Sequence, residues 1–316
     1  MNDIDGNVFV EDDAGDSAPD SAEHPYDKLT HEVVMEAVES LGYLSDARLL
    51  ALNSYENRVY QVGIDGDEPL IAKFYRPARW STLQIQEEHD FSYELEEAEI
   101  SVVPPIKDDS GKSLHEYGGF QFALFPRRGG HPPELDNPDN LLILGRTLGR
   151  IHAVGQSRPF EHRHGLSVEA MAQDSYQFLS EHFVPAELTT AYVSLAEDLV
   201  QRIRENYRDV QAIRVHGDCH VGNILWRDDI AHFVDLDDAR SAPAVQDLWM
   251  FLSGERDNRT WQLSELLEGY EEFCEFQPAE LALIESLRTM RMMYYAAWLG
   301  RRWSDPAFPR SFPWFN

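Results

Sequence analysis

The chain has 316 residues, 43% hydrophobic and 26% charged, which is enough to bury a core in one large domain or two lobes. Lys and Arg total 27 against 56 Asp and Glu, and this net charge of -29 argues against nucleic acid as a partner. The sequence has only two cysteines, too few for a disulfide framework, and it contains no signal-peptide pattern and no long apolar run. We therefore expect a cytoplasmic monomer that contacts no membrane.

The chain divides by composition into a tail and two predicted lobes. Residues 1–27 contain nine acidic residues, no Lys or Arg and no apolar periodicity, which predicts a disordered acidic tail. Residues 28–126 are rich in short β-like runs, and residues 127–316 change to long helical stretches, among them 186–206. A small β-rich N-lobe joined by a glycine-containing segment to a larger helical C-lobe predicts an α+β, bilobal fold.

The predicted N-lobe elements follow from hydrophobic periodicity and turn residues. A helix over residues 31–42 has apolar residues three to four positions apart, with Thr30 as its cap and Gly42 at its end. A second helix, from about Ser81 to Glu97, follows the third of five strands. The strands are predicted, in order, at RLLALN, RVYQVGI, PLIAKFY, VVPPI and GFQFALFP.

The segment from His216 to Asp238 carries the predicted chemistry. In HGDCHVGN an Asp lies five residues before an Asn, and the acidic run DLDD follows a short hairpin. Phosphoryl transfer needs a carboxylate that takes the proton of the acceptor hydroxyl, and an amide oxygen and a second carboxylate that hold Mg²⁺. We assign Asp218 as the proton acceptor, and Asn223 and Asp235 as metal ligands, with Asp235 also catalytic. The spacing matches the H-R-D-x-x-x-x-N loop of protein kinases, which predicts a protein-kinase-like fold that uses ATP.

A second group of residues is predicted to bind the nucleotide. Lys73 lies mid-strand between apolar residues, where it needs an anionic partner such as an ATP phosphate or a helix glutamate. Glu87 and Glu88 are both available, and we prefer Glu88 because the apolar residues three and seven positions later then face inward. The glycine-free loop NSYEN takes the place of a phosphate-covering loop, with Ser54 as its ATP contact. The alternatives are a solvent-exposed edge-strand lysine and a plain polar hairpin.

Other residues of the motif region allow more than one interpretation. His216, Cys219 and His220 could bind zinc, although no further ligand pair follows in the sequence, and the two histidines could instead brace the loop. Asp247 is predicted to begin a helix and to accept backbone N–H groups of the catalytic loop. His152 is predicted to be a packed, hydrogen-bonded histidine.

Five segments resemble the bacterial stress response kinase A family, a Ser/Thr protein kinase branch of the aminoglycoside phosphotransferase and choline kinase superfamily: HGDCHVGNILW, FVDLDDAR, PAVQDLWM, LNSYENRVYQ and AKFYRPARW. The similarity runs from about Thr30 onward. It implies ATP-dependent phosphorylation of protein Ser or Thr in a stress response, Mg²⁺ on Asn223 and Asp235, Asp218 as proton acceptor and Ser54 at ATP. The motifs leave open a small-molecule phosphotransferase for an aminoglycoside, choline or homoserine. An acidic cleft would suit either a cationic small molecule or a basic peptide.

Overall fold

The computed structural model describes residues 25–208, 210–305 and 307–315. Most of the predicted acidic tail, residues 1–24, lies outside the described residues, so its disorder stays a prediction. Tyr26, which falls within the predicted tail, is buried in the N-lobe core. Its hydroxyl donates to the backbone oxygens of Glu56 at 3.1 Å and Phe74 at 3.4 Å. The described chain forms an α+β fold of two lobes, as the sequence predicts.

The N-lobe is built on a five-stranded antiparallel sheet with strand order β1-β2-β3-β5-β4. The two predicted helices begin where their caps indicate: Thr30 Oγ1 accepts the N–H of Val33, and Ser81 forms a capping box with Gln84. The elements are α1 His31–Glu39, β1 Ser45–Ala51, β2 Arg58–Ile64, β3 Leu70–Phe74, α2 Thr82–Glu97, β4 His115–Tyr117 and β5 Phe120–Pro126.

The strand predicted at VVPPI is wrong. Pro104 and Pro105 have no N–H to donate to a sheet ladder, and Val102 forms only a single bridge, with Phe233 of the C-lobe. The fifth strand of the sheet is β4, which pairs with β5 around the predicted Gly118-Gly119 turn. Both glycines have positive φ, of 58° and 85°, as this tight turn requires.

The C-lobe is mainly helical, and its central pair is formed by α3 and α6. Gly145 and Gly149 of α3 lie against the backbone of α6, where a Cβ on either residue would overlap a backbone oxygen. The helices are α3 Pro138–Gly155, α4 Asp174–His182, α5 Ala186–Asn206, α6 Arg256–Tyr270, α7 Ile284–Arg301 and α8 Ala307–Ser311. No helix in the described ranges is both long and apolar enough to cross a membrane.

Two short antiparallel ribbons of the C-lobe position the motif region. Strand β6 (Ile213–Val215) pairs with β9 (Arg240–Ala242), and β7 (Ile224–Arg227) pairs with β8 (Ile230–Phe233). The HGDCHVGN loop leaves β6 and ends at β7, and the DLDD run joins β8 to β9. The two predicted motifs are therefore brought together by the pairing of the strands that flank them.

Candidate active site

A cavity of about 830 Å³ lies between the lobes. Its N-lobe wall includes the β1–β2 loop, residues 52–57, and side chains of β2, β3, α2 and β5. Its C-lobe wall contains the two motif loops and one face of α7. Every residue that the sequence analysis assigned to catalysis, nucleotide or metal lines this cavity: Ser54, Lys73, Glu88, Asp218, Asn223 and Asp235.

Lys73 is the buried cation on the N-lobe side of the cavity. Its Nζ lies 2.9 Å from Asp235 Oδ1, 3.3 Å from Asp237 Oδ1 and 3.5 Å from Glu88 Oε1. Burial lowers the pKa of Lys73, but the charges of Asp235 and Asp237 outweigh that effect and hold the pKa well above its usual range. Lys73 is therefore a permanent ammonium, suited to binding phosphate, and the edge-strand alternative is excluded by its burial.

The structure distinguishes the two candidate glutamates of α2. Glu88 is buried between Lys73 and Arg163, with its Oε2 3.3 Å from Arg163 Nη2. Glu87 instead accepts three backbone N–H groups of the C-lobe segment 161–163, at 2.5 to 2.9 Å. Glu88 is thus the partner of Lys73, whereas Glu87 attaches α2 to the C-lobe.

Two arginines near this ion pair were missed by the sequence analysis. Arg163 is buried, and its Nη1 donates to the backbone oxygens of Asp237 at 2.9 Å and Ala239 at 2.6 Å. Arg79 pairs with the carboxylates of both Asp237 and Asp238. Together they fix the chain that follows Asp235. Arg79 lies in AKFYRPARW, one of the five segments that carry the family resemblance. No local sequence pattern distinguishes Arg163 from a surface arginine.

The HGDCHVGN loop is held by Asp247, as predicted. Its fully buried carboxylate accepts the backbone N–H of His216 at 2.7 Å and that of Gly217 at 2.8 Å. His152 also contacts it, through Nε2 at 3.0 Å, which confirms His152 as a packed, hydrogen-bonded residue. Asp247 does not begin a helix, because it closes a 3-10 turn, Ala244–Asp247. His216 braces the loop by a 2.9 Å hydrogen bond between its Nε2 and the oxygen of Val234.

Asp218 faces the cavity with its two oxygens next to basic side chains. Its Oδ1 lies 2.6 Å from Arg291 Nη1, and its Oδ2 lies 3.6 Å from His220 Nε2. Burial raises the pKa of Asp218, but hydrogen bonding to His220 and the charge of Arg291 outweigh it and hold the pKa below its usual value. The carboxylate is therefore ionised at neutral pH, the state that a proton acceptor requires.

Asn223 and Asp235 are brought together by the β7–β8 hairpin, because the backbone N–H of Val234 donates to Asn223 O at 3.0 Å. The Asn223 Nδ2 donates to Asp218 O at 2.9 Å, which leaves its amide oxygen for a metal. Asp235 adopts a left-handed backbone (φ 59°) and its side chain is 53% exposed. One amide and one carboxylate oxygen, to be completed by phosphates and water, fit Mg²⁺.

Zinc does not fit this region. Within the described parts of the chain, no group of three or more His, Cys, Asp or Glu side chains could hold a metal ion by itself. Cys219 is fully buried, and burial raises the pKa of its thiol well above the usual value, whereas a zinc ligand must be a thiolate.

Ser54 lies in the β1–β2 loop, at the edge of the cavity. The described residues give its hydroxyl no hydrogen bond, so its contact with ATP stays a prediction. The residues after it bind the C-terminal part of the chain: Glu56 contacts Arg302 Nη2 at 2.5 Å and Trp298 Nε1 at 2.6 Å, through different carboxylate oxygens. The Tyr55 ring lies 5.0 Å from that of Phe312. Trp298, Arg302 and Phe312 therefore hold this loop against the C-terminal part of the chain.

Comparison with known proteins assigns the fold and the site to a family. Residues 48–284 match the model of the phosphotransferase enzyme family. The chain is 45% identical over 293 residues to the serine/threonine protein kinase RdoA of Salmonella typhimurium strain LT2, covering 92% of this chain and 89% of that protein. The stress response kinase A of Escherichia coli strain K12 matches with the same identity and coverage. This chain belongs to the phosphotransferase enzyme family.

Solved structures of this kind share the fold at low identity. An amicoumacin kinase in complex with AMP-PNP superposes with a TM-score of 0.69 at 21% identity, covering 82% of each chain. A microcompartment-associated aminopropanol kinase gives 0.67 at 23% identity, covering 84% of this chain and 89% of that one. These likenesses support the bilobal kinase-like fold, and the family match makes the chain a phosphotransferase.

The charged residues that line the cavity of this phosphotransferase nearly balance, unlike those of the chain as a whole. Six Asp and Glu residues line it together with five Lys and Arg residues, although the chain as a whole has 56 acidic and 27 basic residues. Each of the six carboxylates forms an ion pair with a Lys or Arg side chain. Among the described residues of the cavity, a cationic substrate would therefore compete with a Lys or Arg side chain for each carboxylate.

Proposed function

We propose that this protein is an ATP- and Mg²⁺-dependent kinase that phosphorylates Ser or Thr hydroxyls of proteins, in the cytoplasm, as part of a stress response. Two relatives that cover 92% of the chain at 45% identity carry the names serine/threonine protein kinase and stress response kinase. The paired carboxylates of the cavity are the structural observation that carries the choice of acceptor, because they disfavour the ammonium groups of aminoglycosides and choline.

On this proposal each of these side chains has a separate role in phosphoryl transfer. Lys73, oriented by Glu88, binds the phosphates of ATP from the N-lobe side. Asp218 orients the acceptor hydroxyl and takes its proton as the hydroxyl oxygen forms its bond to the γ-phosphorus. The bond between that phosphorus and the β–γ bridging oxygen breaks, and ADP leaves with the electron pair. Asp247 keeps the backbone that carries Asp218 in place.

Asn223 and Asp235 are the residues that would hold Mg²⁺. The bound ion would supply positive charge to offset the charge that develops on the phosphates. Asp235 now pairs with Lys73, so ATP binding requires the ammonium and this carboxylate to be shared with phosphate and metal. A side chain that is half exposed to the cavity can make that adjustment more readily than the buried Asp237 beside it.

The test is transfer of labelled γ-phosphate from ATP in the presence of Mg²⁺. We expect the protein to label itself or a generic basic protein, and not choline, homoserine or an aminoglycoside. Asp218→Asn should lower the rate of transfer by about 10² to 10⁴-fold, the range for loss of a general base. Transfer to a small alcohol without any incorporation into protein would refute the protein-kinase proposal in favour of a small-molecule phosphotransferase.

Asp235→Asn tests the metal assignment, with Asp228→Asn as its matched control. Both aspartates have positive φ, of 59° and 53°, and Asp228 is an exposed turn residue of the β7–β8 hairpin. Asp235→Asn should weaken binding of Mg-ATP in equilibrium titrations while Asp228→Asn leaves it unchanged. Equal binding by the two variants would remove Asp235 from the metal site.

A further inference from the structure

One face of α7 forms the wall of the cavity next to the proton acceptor. Five residues of this helix, spaced three or four positions apart with one adjacent pair, line the cavity: Leu287, Arg291, Tyr294, Tyr295 and Trp298. Arg291 is the cation among them, and its Nη1 lies 2.6 Å from Asp218 Oδ1. The guanidinium therefore contacts the same carboxylate that the acceptor hydroxyl must reach.

The ion pair leaves Arg291 with unused hydrogen-bonding capacity. A guanidinium has five N–H donors, and Asp218 is its ion-pair partner among the described residues. The Arg291 side chain is 37% exposed, so water and a substrate can reach it. An acceptor that presents an oxygen beside its hydroxyl gains a hydrogen bond from this group, whereas an acceptor that presents an ammonium there is repelled.

This contrast separates two classes of hydroxyl compound. In an amino alcohol, or in a serine with a free α-amino group, a cationic nitrogen lies two carbons from the hydroxyl. In an internal seryl or threonyl residue that nitrogen is a neutral amide, and the preceding carbonyl oxygen is a hydrogen-bond acceptor. A side chain that contacts the group next to the hydroxyl can therefore distinguish a polypeptide acceptor from small amine acceptors.

We propose that Arg291 is the specificity-determining residue of the acceptor site, which favours a seryl or threonyl hydroxyl flanked by peptide groups and rejects a hydroxyl next to an ammonium. The inference rests on the proposed protein-kinase function and names the chemistry that selects its acceptor. It also gives a role to the contact between Arg291 and Asp218, the proposed proton acceptor.

The experiment compares two short peptides that begin with Ser and differ only in N-terminal acetylation. The free α-amino group has a pKa of about 8, so near neutral pH it is mostly an ammonium beside the hydroxyl. The wild-type protein should prefer the acetylated peptide in kcat/KM by about tenfold or more. In Arg291→Ala the ratio should fall to about one, partly because kcat/KM for the free-amine peptide rises when Asp218 becomes available to the ammonium.

Arg288→Ala is the matched control, since Arg288 lies one turn earlier on α7, pairs with Glu285 and does not line the cavity. It should keep the wild-type preference, and KM for ATP should be unchanged in both variants. If Arg291→Ala changes kcat/KM for both peptides by the same factor, the inference is overturned while the proposed function stands. Transfer to neither peptide by the wild-type protein, with transfer to a small alcohol, overturns the proposed function and the inference with it.

Discussion

Replacing Asp247 by Asn tests how strongly one buried carboxylate holds the catalytic loop. Its Oδ2 accepts the N–H of His216 and contacts His152 Nε2, and its Oδ1 accepts the N–H of Gly217. Asparagine has the same shape but offers one oxygen and one NH₂ group. Whichever way the amide is oriented, at least one buried donor then faces another donor.

The loss of stability can be worked from these three hydrogen bonds. With the Asn oxygen in the place of Oδ2, one buried N–H is left without an acceptor, at a cost of about 1–3 kcal/mol. The other two bonds lose their ionic character, at about 1 kcal/mol each. We expect Asp247→Asn to lower the free energy of unfolding by about 3–5 kcal/mol in total. A protein of ordinary stability, about 5–15 kcal/mol, still folds after that loss.

The variant should also lose turnover, because the two N–H groups that Asp247 holds immediately precede Asp218. A displacement of about 1 Å at a reacting group costs on the order of 10²-fold in rate. Urea unfolding and kcat at saturating Mg-ATP measure the two effects. Gln262→Ala is the control, since it removes a buried hydrogen-bonding residue of α6 that does not line the cavity. An Asp247→Asn protein with wild-type kcat, or with wild-type stability, would refute the reasoning.

Three further substitutions test other parts of the structure. Gly217→Ala should lower kcat far more than Gly111→Ala does. Both glycines have positive φ, of +85° and +84°, but a Cβ would overlap the oxygen of Asp238 only at Gly217. Equal effects of the two substitutions on kcat would contradict the packing argument. Burial, with nearby cations, lowers the pKa of His89 from 6.5 to about 3, so the unfolded chain binds a proton that the folded chain excludes. The free energy of unfolding should therefore fall as pH drops from 6.5 towards 3, by up to about 1.4 kcal/mol per pH unit. Measured by urea unfolding, this fall should be shallower in His89→Gln than in the wild-type protein. Parallel plots of stability against pH for the two proteins would contradict this. Glu56→Gln should loosen the β1–β2 loop and raise KM for ATP by about three- to tenfold, a loss of about 1 kcal/mol. An unchanged KM would show that the contacts of Glu56 with Trp298 and Arg302 do not support nucleotide binding.

The residues proposed for catalysis and metal binding could be assigned to one site from the sequence because their chemistry and their spacing are local. Asp218 and Asn223 lie in one loop, and Asp235 follows the hairpin that begins at its end, so a short stretch of sequence carries the signal. Lys73 was predictable for a different reason, since a lysine in an apolar strand requires a charged partner. The strand predicted at VVPPI is wrong because its two prolines have no N–H groups to donate to a sheet, and hydrophobicity alone does not show this.

The arginines of the site could not be predicted in the same way. Arg163 lies in a loop, and Arg291 lies in a helix where an arginine every few residues is typical of a solvent-exposed face. Their partners, Glu88 and Asp218, are more than 70 residues away in the sequence. Only the tertiary structure shows that these side chains neutralise the carboxylates on which the chemistry depends.

The charge of the whole chain and the charge of its cavity act on the acceptor at different stages of binding. The surplus of acidic residues acts over the outer surface, where it attracts a basic protein and is screened beyond about 8 Å at physiological ionic strength. Inside the cavity, Lys73 and Arg291 pair with the carboxylates that face the reacting groups, so selection there is made by local contacts. On the proposed function, a basic protein can thus be attracted by the surface while the residue to be phosphorylated enters as a neutral peptide segment, and the two requirements do not conflict.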